Sequence, residues 1–162
     1  MGYSLEAFIA RSGPIENLAG SLQGAVIVSL PQDMKMIPIT YPVKSNLEKL
    51  YSLPDTDSFE KEIERFEPVG REASKDGSIA YVNIEMFGGT GLRGCILWEN
   101  GAVSFGPHAF DTGQDYVPPG QEPINEALRK LGVVRGPHSD EFDALGLGAH
   151  RSTDKWVEAA KP

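Results

Sequence analysis

The stretch that decides the fold is residues 79–106, IAYVNIEMFGGTGLRGCILWENGAVSFG. Apolar side chains recur at every second position on both sides of the glycine-rich link 88–91, and this period is typical of β-strands. Asn100-Gly101 is the preferred pair for a two-residue type I′ hairpin turn, after which AVSF returns along the sheet. The stretch therefore predicts a meander of three antiparallel strands joined by hairpins.

Two further strands are predicted before this meander, at residues 24–30 and 34–40, because both segments are rich in β-branched and aliphatic side chains. Residues 31–33, Pro-Gln-Asp, have the composition of a turn. Pro38 has no N–H to donate to a neighbouring strand, which favours an edge position for the second segment. Together with the meander, these segments predict an antiparallel sheet of about five strands.

Short helices are expected between and after the strands. Apolar spacing and capping residues predict them at residues 4–11, 45–51, 57–66 and 123–131, around Phe142 and Leu145, and behind Ser152 or Thr153. Gly13-Pro14 is expected to end the first helix, and Asp57 with Glu60 has capping-box spacing. Residues 107–122 contain three prolines and two glycines and are expected to form a loop.

The fold class that fits this order of elements is α+β. Strands and helices alternate without a regular βαβ unit, which favours an antiparallel sheet with helices packed mainly on one face. A chain of 162 residues has the size of one domain, so residues 1–162 are expected to form a single α+β domain.

Charge and composition exclude several classes of protein. The chain has 15 basic and 23 acidic side chains, a net charge of -8, and 40% hydrophobic residues, which argues against disorder. The charge is spread along the chain and no cluster of Lys and Arg is present, so no nucleic-acid partner is expected. An acidic surface suits a basic protein partner instead. One cysteine permits neither an internal disulfide nor a cysteine-based zinc site.

The sequence also indicates a compartment. No window approaches the roughly 18 continuous apolar residues of a membrane span. The first residues, MGYSLEAFIARSG, have neither the basic start nor the apolar run of a signal peptide. A cytoplasmic location without a membrane partner is therefore expected.

The FGGTG segment, residues 87–91, invites comparison with phosphate-binding loops. Such loops open a helix, whereas a predicted strand follows these glycines. A hairpin turn or bulge with positive φ is therefore the favoured interpretation. The alternative is a ligand or partner site at the hairpin tip, for which the candidate residues are Gly88, Gly89, Gly91 and the nearby Glu85.

The C-terminal segment 137–156, PHSDEFDALGLGAHRSTDKW, is the densest polar region. Its possible metal ligands are His138, Asp140, Glu141, Asp143, His150 and Asp154. The two histidines are separated by a glycine-rich bend, a spacing that does not specify a metal site, so neither a metal nor a cofactor is predicted. An acid–base pair of His150 with Asp143 or Asp154, beside Ser152 or Thr153 as nucleophile, is the catalytic alternative.

Several stretches together resemble an uncharacterised family of small bacterial cytoplasmic proteins with no known activity. The resemblance rests on the FGGxG hairpin with its nearby tryptophan and on the ending DEFDALGLGxHRxTxxW, residues 140–156. It implies no cofactor and no catalytic residue. In size, charge and class the chain is also similar to the immunity proteins of bacterial toxin systems, an analogy that says little about function.

Three hypotheses for the function follow. The first is a non-enzymatic protein-binding module, such as an acidic immunity-type inhibitor of a basic partner; its candidate surfaces are Glu60, Glu62, Glu64 and Glu67, or the loop with Asp111 and Asp115. The second is a small hydrolase or metal-dependent enzyme with a pocket between the FGGTG turn and the C-terminal segment, lined by Glu85, Asp143, His150 and Arg151. The third is a ligand-binding or structural domain that pairs through an edge strand.

Cys95 and Trp98 are expected in the core and His108 on the surface.

Overall fold

A six-stranded antiparallel sheet forms the centre of the protein, in a computed structural model that describes residues 2–118 and 120–161. The strands are β1 (Gly2–Ala10), β2 (Val28–Ser29), β3 (Lys35–Pro38), β4 (Ser78–Phe87), β5 (Thr90–Glu99) and β6 (Ala102–Asp111). Their order in the sheet is β2-β3-β1-β4-β5-β6. The predicted meander is β4–β5–β6, and the α+β class with an antiparallel sheet is confirmed.

Helices cover both faces of this sheet. They are α1 (Ser12–Gly20), α2 (Tyr41–Tyr51), α3 (Phe59–Glu64), α4 (Glu67–Ala73), α5 (Pro123–Lys130), α6 (Glu141–Ala144) and α7 (Thr153–Ala160). Helices α1–α4 pack on the face that carries Phe8, Tyr81 and Trp98, and they hold the larger part of the helical residues. Helices α5–α7 pack on the opposite face, over Val82 and Leu97. Within the described residues, no helix is long and apolar enough to cross a bilayer.

The first segment of the chain is a strand, so the prediction of a helix at residues 4–11 was wrong. β1 lies at the centre of the sheet, between β3 and β4, and residues 7–10 are fully buried. A strand buried on both faces is apolar at consecutive positions, and a short apolar run of this kind fits helical spacing equally well. The helix begins only afterwards, and Gly13-Pro14 lies in its first turn, where proline is tolerated.

Pro38 does not lie in an edge strand, because β3 runs between β2 and β1. The edge strand is β2, whose two residues pair only with Lys35 and Met36. Ile39 donates its N–H to the Glu6 carbonyl on β1 at 2.7 Å, so the imide nitrogen of Pro38 faces the opposite side, beyond the end of β2. The missing donor therefore costs no bond in the sheet.

Other boundaries also differ from the sequence prediction. The helix expected at 57–66 is capped by Ser58 rather than Asp57, with the Ser58 hydroxyl accepting the Lys61 N–H at 3.2 Å. It ends at Glu64, and a separate helix, α4, follows. The loop expected at 107–122 begins later, because β6 continues through Asp111. The helices at 45–51 and 123–131 and the C-terminal helix behind Ser152 are confirmed.

Both hairpins of the meander turn through residues with positive φ, as the sequence predicts, but the turn at Gly88-Gly89 is a tight two-residue turn and not the wide turn or bulge expected there. Gly88 and Gly89 have φ of 64° and 85°, and Asn100 and Gly101 have φ of 51° and 82°. Positive φ at both central residues is the type I′ geometry that joins two twisted strands. The glycine-rich segment is therefore a hairpin turn between β4 and β5, with no helix behind it.

Candidate functional site

An open cleft of about 640 Å³ lies between α2, α3 and the strands β1 and β4. Among its lining residues are six carboxylates and two cations: Glu6, Glu48, Asp55, Asp57, Glu62, Glu85, Lys44 and Arg65. When all of these side chains are ionised, the lining residues carry a net charge of -4, half of the net charge of the chain. We call this region the acidic cleft.

The sheet positions the floor of the acidic cleft through one row of residues across three strands. Glu6 on β1 is paired with Asn83 on β4, and Asn83 with Gly94 on β5. A Cβ on Gly94 would lie 2.6 Å from Ile63 Cδ1 and 3.0 Å from Phe59 Cε2, so a side chain there would displace side chains of α3. The glycine lets α3 approach closely, and this approach brings Glu62 to the cleft.

The walls of the cleft are joined by a chain of alternating charges. Lys44 Nζ lies 3.1 Å from Glu6 Oε1 and 2.9 Å from Glu62 Oε1. Arg65 continues the chain, 2.8 Å from Glu62 and 2.8 Å from Glu48, and only 4% of its side chain is exposed. The ion pairs fix α2 against α3 and hold these carboxylates in place.

Glu6 lies on the floor of the cleft, where 14% of its side chain is exposed. Its Oε2 accepts a hydrogen bond from the Tyr81 hydroxyl, and Asn83 Nδ2 lies 3.4 Å from the same oxygen. Burial raises the pKa of Glu6, although Lys44 and Tyr81 favour the charged form. Burial and the nearby Glu6 carboxylate raise the pKa of Tyr81 well above its ordinary value.

The two groups above Glu6 are held in their charged forms. Burial would raise the pKa of Glu62, but hydrogen bonds from Thr56 and Lys44 outweigh it and lower that pKa. Burial would lower the pKa of Lys44, but the charge of Glu6 and the hydrogen bond to Glu62 outweigh it and raise that pKa. Lys44 is therefore a cation at neutral pH and is poorly suited to act as a base.

The remaining carboxylates line the mouth of the cleft. Asp55, Asp57 and Glu85 are all exposed. Asp57 lies 3.2 Å from the exposed Lys61, whereas neither Asp55 nor Glu85 forms an ion pair within residues 2–118 and 120–161. Because these three groups face solvent, they are available to a cationic ligand.

A second groove, of about 610 Å³, adjoins the acidic cleft and shares Glu85 and Leu92 with it. Its lining is mostly apolar: Gly2, Tyr3, Ser4, Met86, Phe87, Arg151 and Ser152 complete it. Phe87, at the end of β4, is 80% exposed. The groove is the space between the glycine hairpin and the C-terminal segment, and we call it the apolar groove.

The structure brings only part of the sequence-predicted site together. Glu85 and Arg151 both line the apolar groove, but Asp143 and His150 do not. His150 packs edge-on against Trp156, with ring centroids 4.6 Å apart, and Asp143 lies 3.5 Å from His138. The four-residue pocket of the hydrolase hypothesis therefore does not form as predicted.

The three glycines of the hairpin differ in role. A Cβ on Gly88 or Gly89 would meet nothing within 4 Å, so the turn itself is open to solvent. A Cβ on Gly91 would lie 2.0 Å from the Glu85 carbonyl oxygen. Gly91 is thus required for the strand pairing, and its location gives no independent evidence of a binding site.

Most of the other candidate residues have structural contacts. Asp140 and Ser152 cap α6 and α7, Glu141 pairs with Arg129, and the Thr153 hydroxyl accepts the Glu6 N–H at 3.0 Å. Asp111 and Asp115 accept backbone N–H groups of their own loop. In the described parts of the chain, no group of three metal-ligating side chains converges.

The predicted glutamate stripe is not continuous. Glu62 points into the acidic cleft and Glu67 pairs with Arg71, while Glu60 and Glu64 are exposed. α3 ends at Glu64 and α4 starts a new helix at Glu67, so one helical face does not carry all four side chains. Only Glu62 contributes to the cleft.

Cys95 is fully buried, and burial raises the pKa of its thiol far above the ordinary 9.0. The thiol therefore loses its proton at a lower pH in the unfolded chain than in the folded protein, so the free energy of unfolding falls as the pH rises above about 9. Near pH 10 we expect the free energy of unfolding to decrease with pH in the wild type more steeply than in Cys95→Ala. The expected difference in slope is about 1.4 kcal/mol per pH unit. Urea unfolding at pH 8 and pH 10.5 measures this difference, and equal slopes would contradict it.

The sequence does not single out several side chains of the acidic cleft. Glu6 was placed in a helix, and Lys44, Arg65, Tyr81 and Asn83 were not singled out. A usable signal was present, since the alternation of β4 places Tyr81, Asn83 and Glu85 on one face. Three polar groups in a row on an otherwise apolar strand indicate a site at that face.

Comparisons with known proteins add nothing to this geometry. No family model matches the sequence, and no curated protein or solved structure shows significant similarity to it.

Proposed function

We propose that this protein is a non-enzymatic binding module whose acidic cleft accepts basic side chains of a partner protein. The observation that carries the proposal is the excess of four negative charges in one concave region. Such a concentration of charge attracts a cationic partner over distances of about a Debye length and speeds its association.

The ligand's cation belongs at the mouth of the cleft rather than at its floor. Glu6 and Glu62 already share Lys44, and Arg65 occupies the other side of Glu62. Asp55 and Glu85 have no such partner within the described residues, and Asp57 has only the exposed Lys61. An Arg or Lys side chain that enters between them would complete the alternating pattern of the walls.

Inhibition of a basic protein is the form of binding that these features favour. A basic protein that acts on a negatively charged substrate carries a cationic surface, and an acidic module can cover that surface without doing chemistry. The similarity to immunity proteins in size, charge and class agrees with this role but does not identify the partner.

A small hydrolase is the second candidate, and one observation favours it: Glu85 and Arg151 line the same groove beside the glycine hairpin. The groove is mostly apolar, and His150 and Asp143 lie outside it. A reaction there would lack the histidine base on which the sequence hypothesis depended. The binding role needs no such group.

The test of the binding role uses tri-arginine as a defined basic probe, in an NMR titration at low ionic strength. One variant neutralises the mouth of the cleft, Asp55→Asn/Asp57→Asn/Glu85→Gln. The matched control, Glu16→Gln/Asp76→Asn/Glu99→Gln, removes the same charge from exposed residues outside the cleft. We expect the cleft variant to bind about tenfold more weakly and the control to change by about twofold or less.

Equal weakening in both variants would contradict the assignment, because net charge and not the cleft would then control binding. The same two proteins also serve as paired baits for capture of the partner from host lysate. We expect the wild type and the control to retain a basic protein at low salt and to release it at high salt. The cleft variant should not retain this protein.

A further inference from the structure

A third cavity, of about 490 Å³, lies between β5, α5 and α6, under a loop that contributes Val117, Pro118 and Gly120. Three of the chain's seven arginines line it: Arg93, Arg129 and Arg135. This concentration of guanidinium groups is unexpected in a protein with a net charge of -8. The volume lies within the range of small-molecule sites.

The carboxylates around this cavity are each engaged in holding the fold together. Glu122 caps α5 by accepting the Asn125 N–H at 3.0 Å, and Asp140 caps α6 by accepting the Asp143 N–H at 2.7 Å. Glu141 receives two hydrogen bonds from Arg129, at 3.3 Å and 3.2 Å. These contacts account for all three acids and for one of the arginines.

The other two arginines have no such engagement. Arg93 forms only a long ion pair with the Glu122 carboxylate, at 3.7 Å and beyond hydrogen-bonding distance, and its buried Nε has no hydrogen-bond partner in the part of the chain that the structure describes. Arg135 is exposed and forms no ion pair within the same residues. About two-thirds of the Arg93 side chain is buried, and a guanidinium whose hydration has been partly removed requires an acceptor.

We propose that this cavity binds a small oxyanion, a carboxylate or phosphate group, between Arg93 and Arg135. Planar guanidinium groups match the oxygens of both kinds of anion, and two of them can hold one anion from two sides. Arg129 remains with Glu141 and borders the site. The binding site is independent of the acidic cleft and of the partner proposed for it.

Burial favours the neutral form of Glu122, and Asp140 adds to this effect, so the pKa of Glu122 is raised. The Asn125 N–H and the charge of Arg93 favour the charged form of Glu122 and oppose this shift.

The experiment titrates the protein with sodium acetate and, separately, with sodium phosphate, each at constant ionic strength set by NaCl, and follows backbone and arginine side-chain NMR signals. We expect saturable shifts around the cavity, with dissociation constants in the millimolar range or below. Arg135→Gln should weaken binding about tenfold, since one charge-assisted contact is lost. Because Arg135 is exposed and unpaired within the described residues, this variant should fold normally.

The control is Arg151→Gln, which removes an exposed arginine from the apolar groove and should leave the affinity unchanged. Saturation by acetate alone would assign a carboxylate ligand, and saturation by phosphate alone would assign a phosphorylated one; either supports the site. No saturable shift with either anion up to about 50 mM, or equal binding by Arg135→Gln and the wild type, would overturn the proposal.

Discussion

Gly70→Ala is expected to lower the free energy of unfolding by about 3 kcal/mol, because the site has no room for a methyl group. A Cβ at this position of α4 would lie 2.0 to 2.2 Å from three ring atoms of Trp98. Trp98 is fully buried on β5, next to its cross-strand partner Ile79, and its indole cannot rotate away. The methyl group would therefore force α4 off the sheet.

Urea unfolding followed by Trp fluorescence measures this loss of stability. Gly13→Ala is the matched control, since Gly13 also lies in a helix and its Cβ would meet nothing within 4 Å. We expect the control to change the free energy by less than about 1 kcal/mol, in either direction. A change in Gly70→Ala as small as in the control would show that α4 can move away from Trp98 at little cost.

The parts of the fold that the sequence predicts well are those set by local rules. The meander follows from strict alternation and from Asn100-Gly101, whose positive φ only a few residues tolerate. The helix α5 follows from Pro123 at its start and Gly132 after its end, and Gly132 has φ of 102°. Each of these signals acts within a few residues and needs no knowledge of the rest of the chain.

The predictions that failed depend on distant partners. β1 is a central strand only because β3 and β4 pair with it on both sides, and its apolar run carries no period of its own. Pro38 is acceptable in β3 because β2 stops after two residues. Neither fact can be read from the segment itself.

The residues of the candidate site, like the strands that were predicted wrongly, are brought together from distant parts of the chain. Its residues come from β1, α2, α3 and β4, and the contact between Lys44 and Glu6 joins positions 38 residues apart. Polar side chains with no local motif give no spacing rule that a sequence reader could apply. The sequence hypothesis relies instead on the polar C-terminal segment, where Asp140 and Ser152 cap helices and Glu141 pairs with Arg129.

Lys44→Met is expected to lower the free energy of unfolding by about 2 kcal/mol at pH 7, because it leaves Glu6 and Glu62 side by side without the cation between them. The loss is smaller than for a fully buried pair, since 27% of the Lys44 side chain is exposed. Lys49→Met, on the same helix but exposed and without an ion pair in the described residues, is the control and should stay within about 0.5 kcal/mol.

The pH dependence distinguishes loss of charge pairing from loss of packing. The pKa of Glu6 in the folded protein is already raised above the ordinary 4.5, so the folded state holds the proton more tightly, and this contribution to stability is lost as the pH rises through the folded-state pKa. Without Lys44 that pKa rises further. The destabilisation of Lys44→Met should therefore be smallest below pH 4.5 and grow toward pH 7.

Glu6→Gln in the Lys44→Met background supplies the decisive comparison. The substituted amide keeps an oxygen for the Tyr81 hydroxyl and removes the uncompensated charge, so it should restore about 1 kcal/mol and flatten the pH dependence. The single Lys44→Met variant, whose cleft has one more uncompensated negative charge, should also bind tri-arginine about two- to threefold more tightly. A loss of stability that is independent of pH and is not rescued by Glu6→Gln would mean that Lys44 acts through its methylene packing and not through its charge.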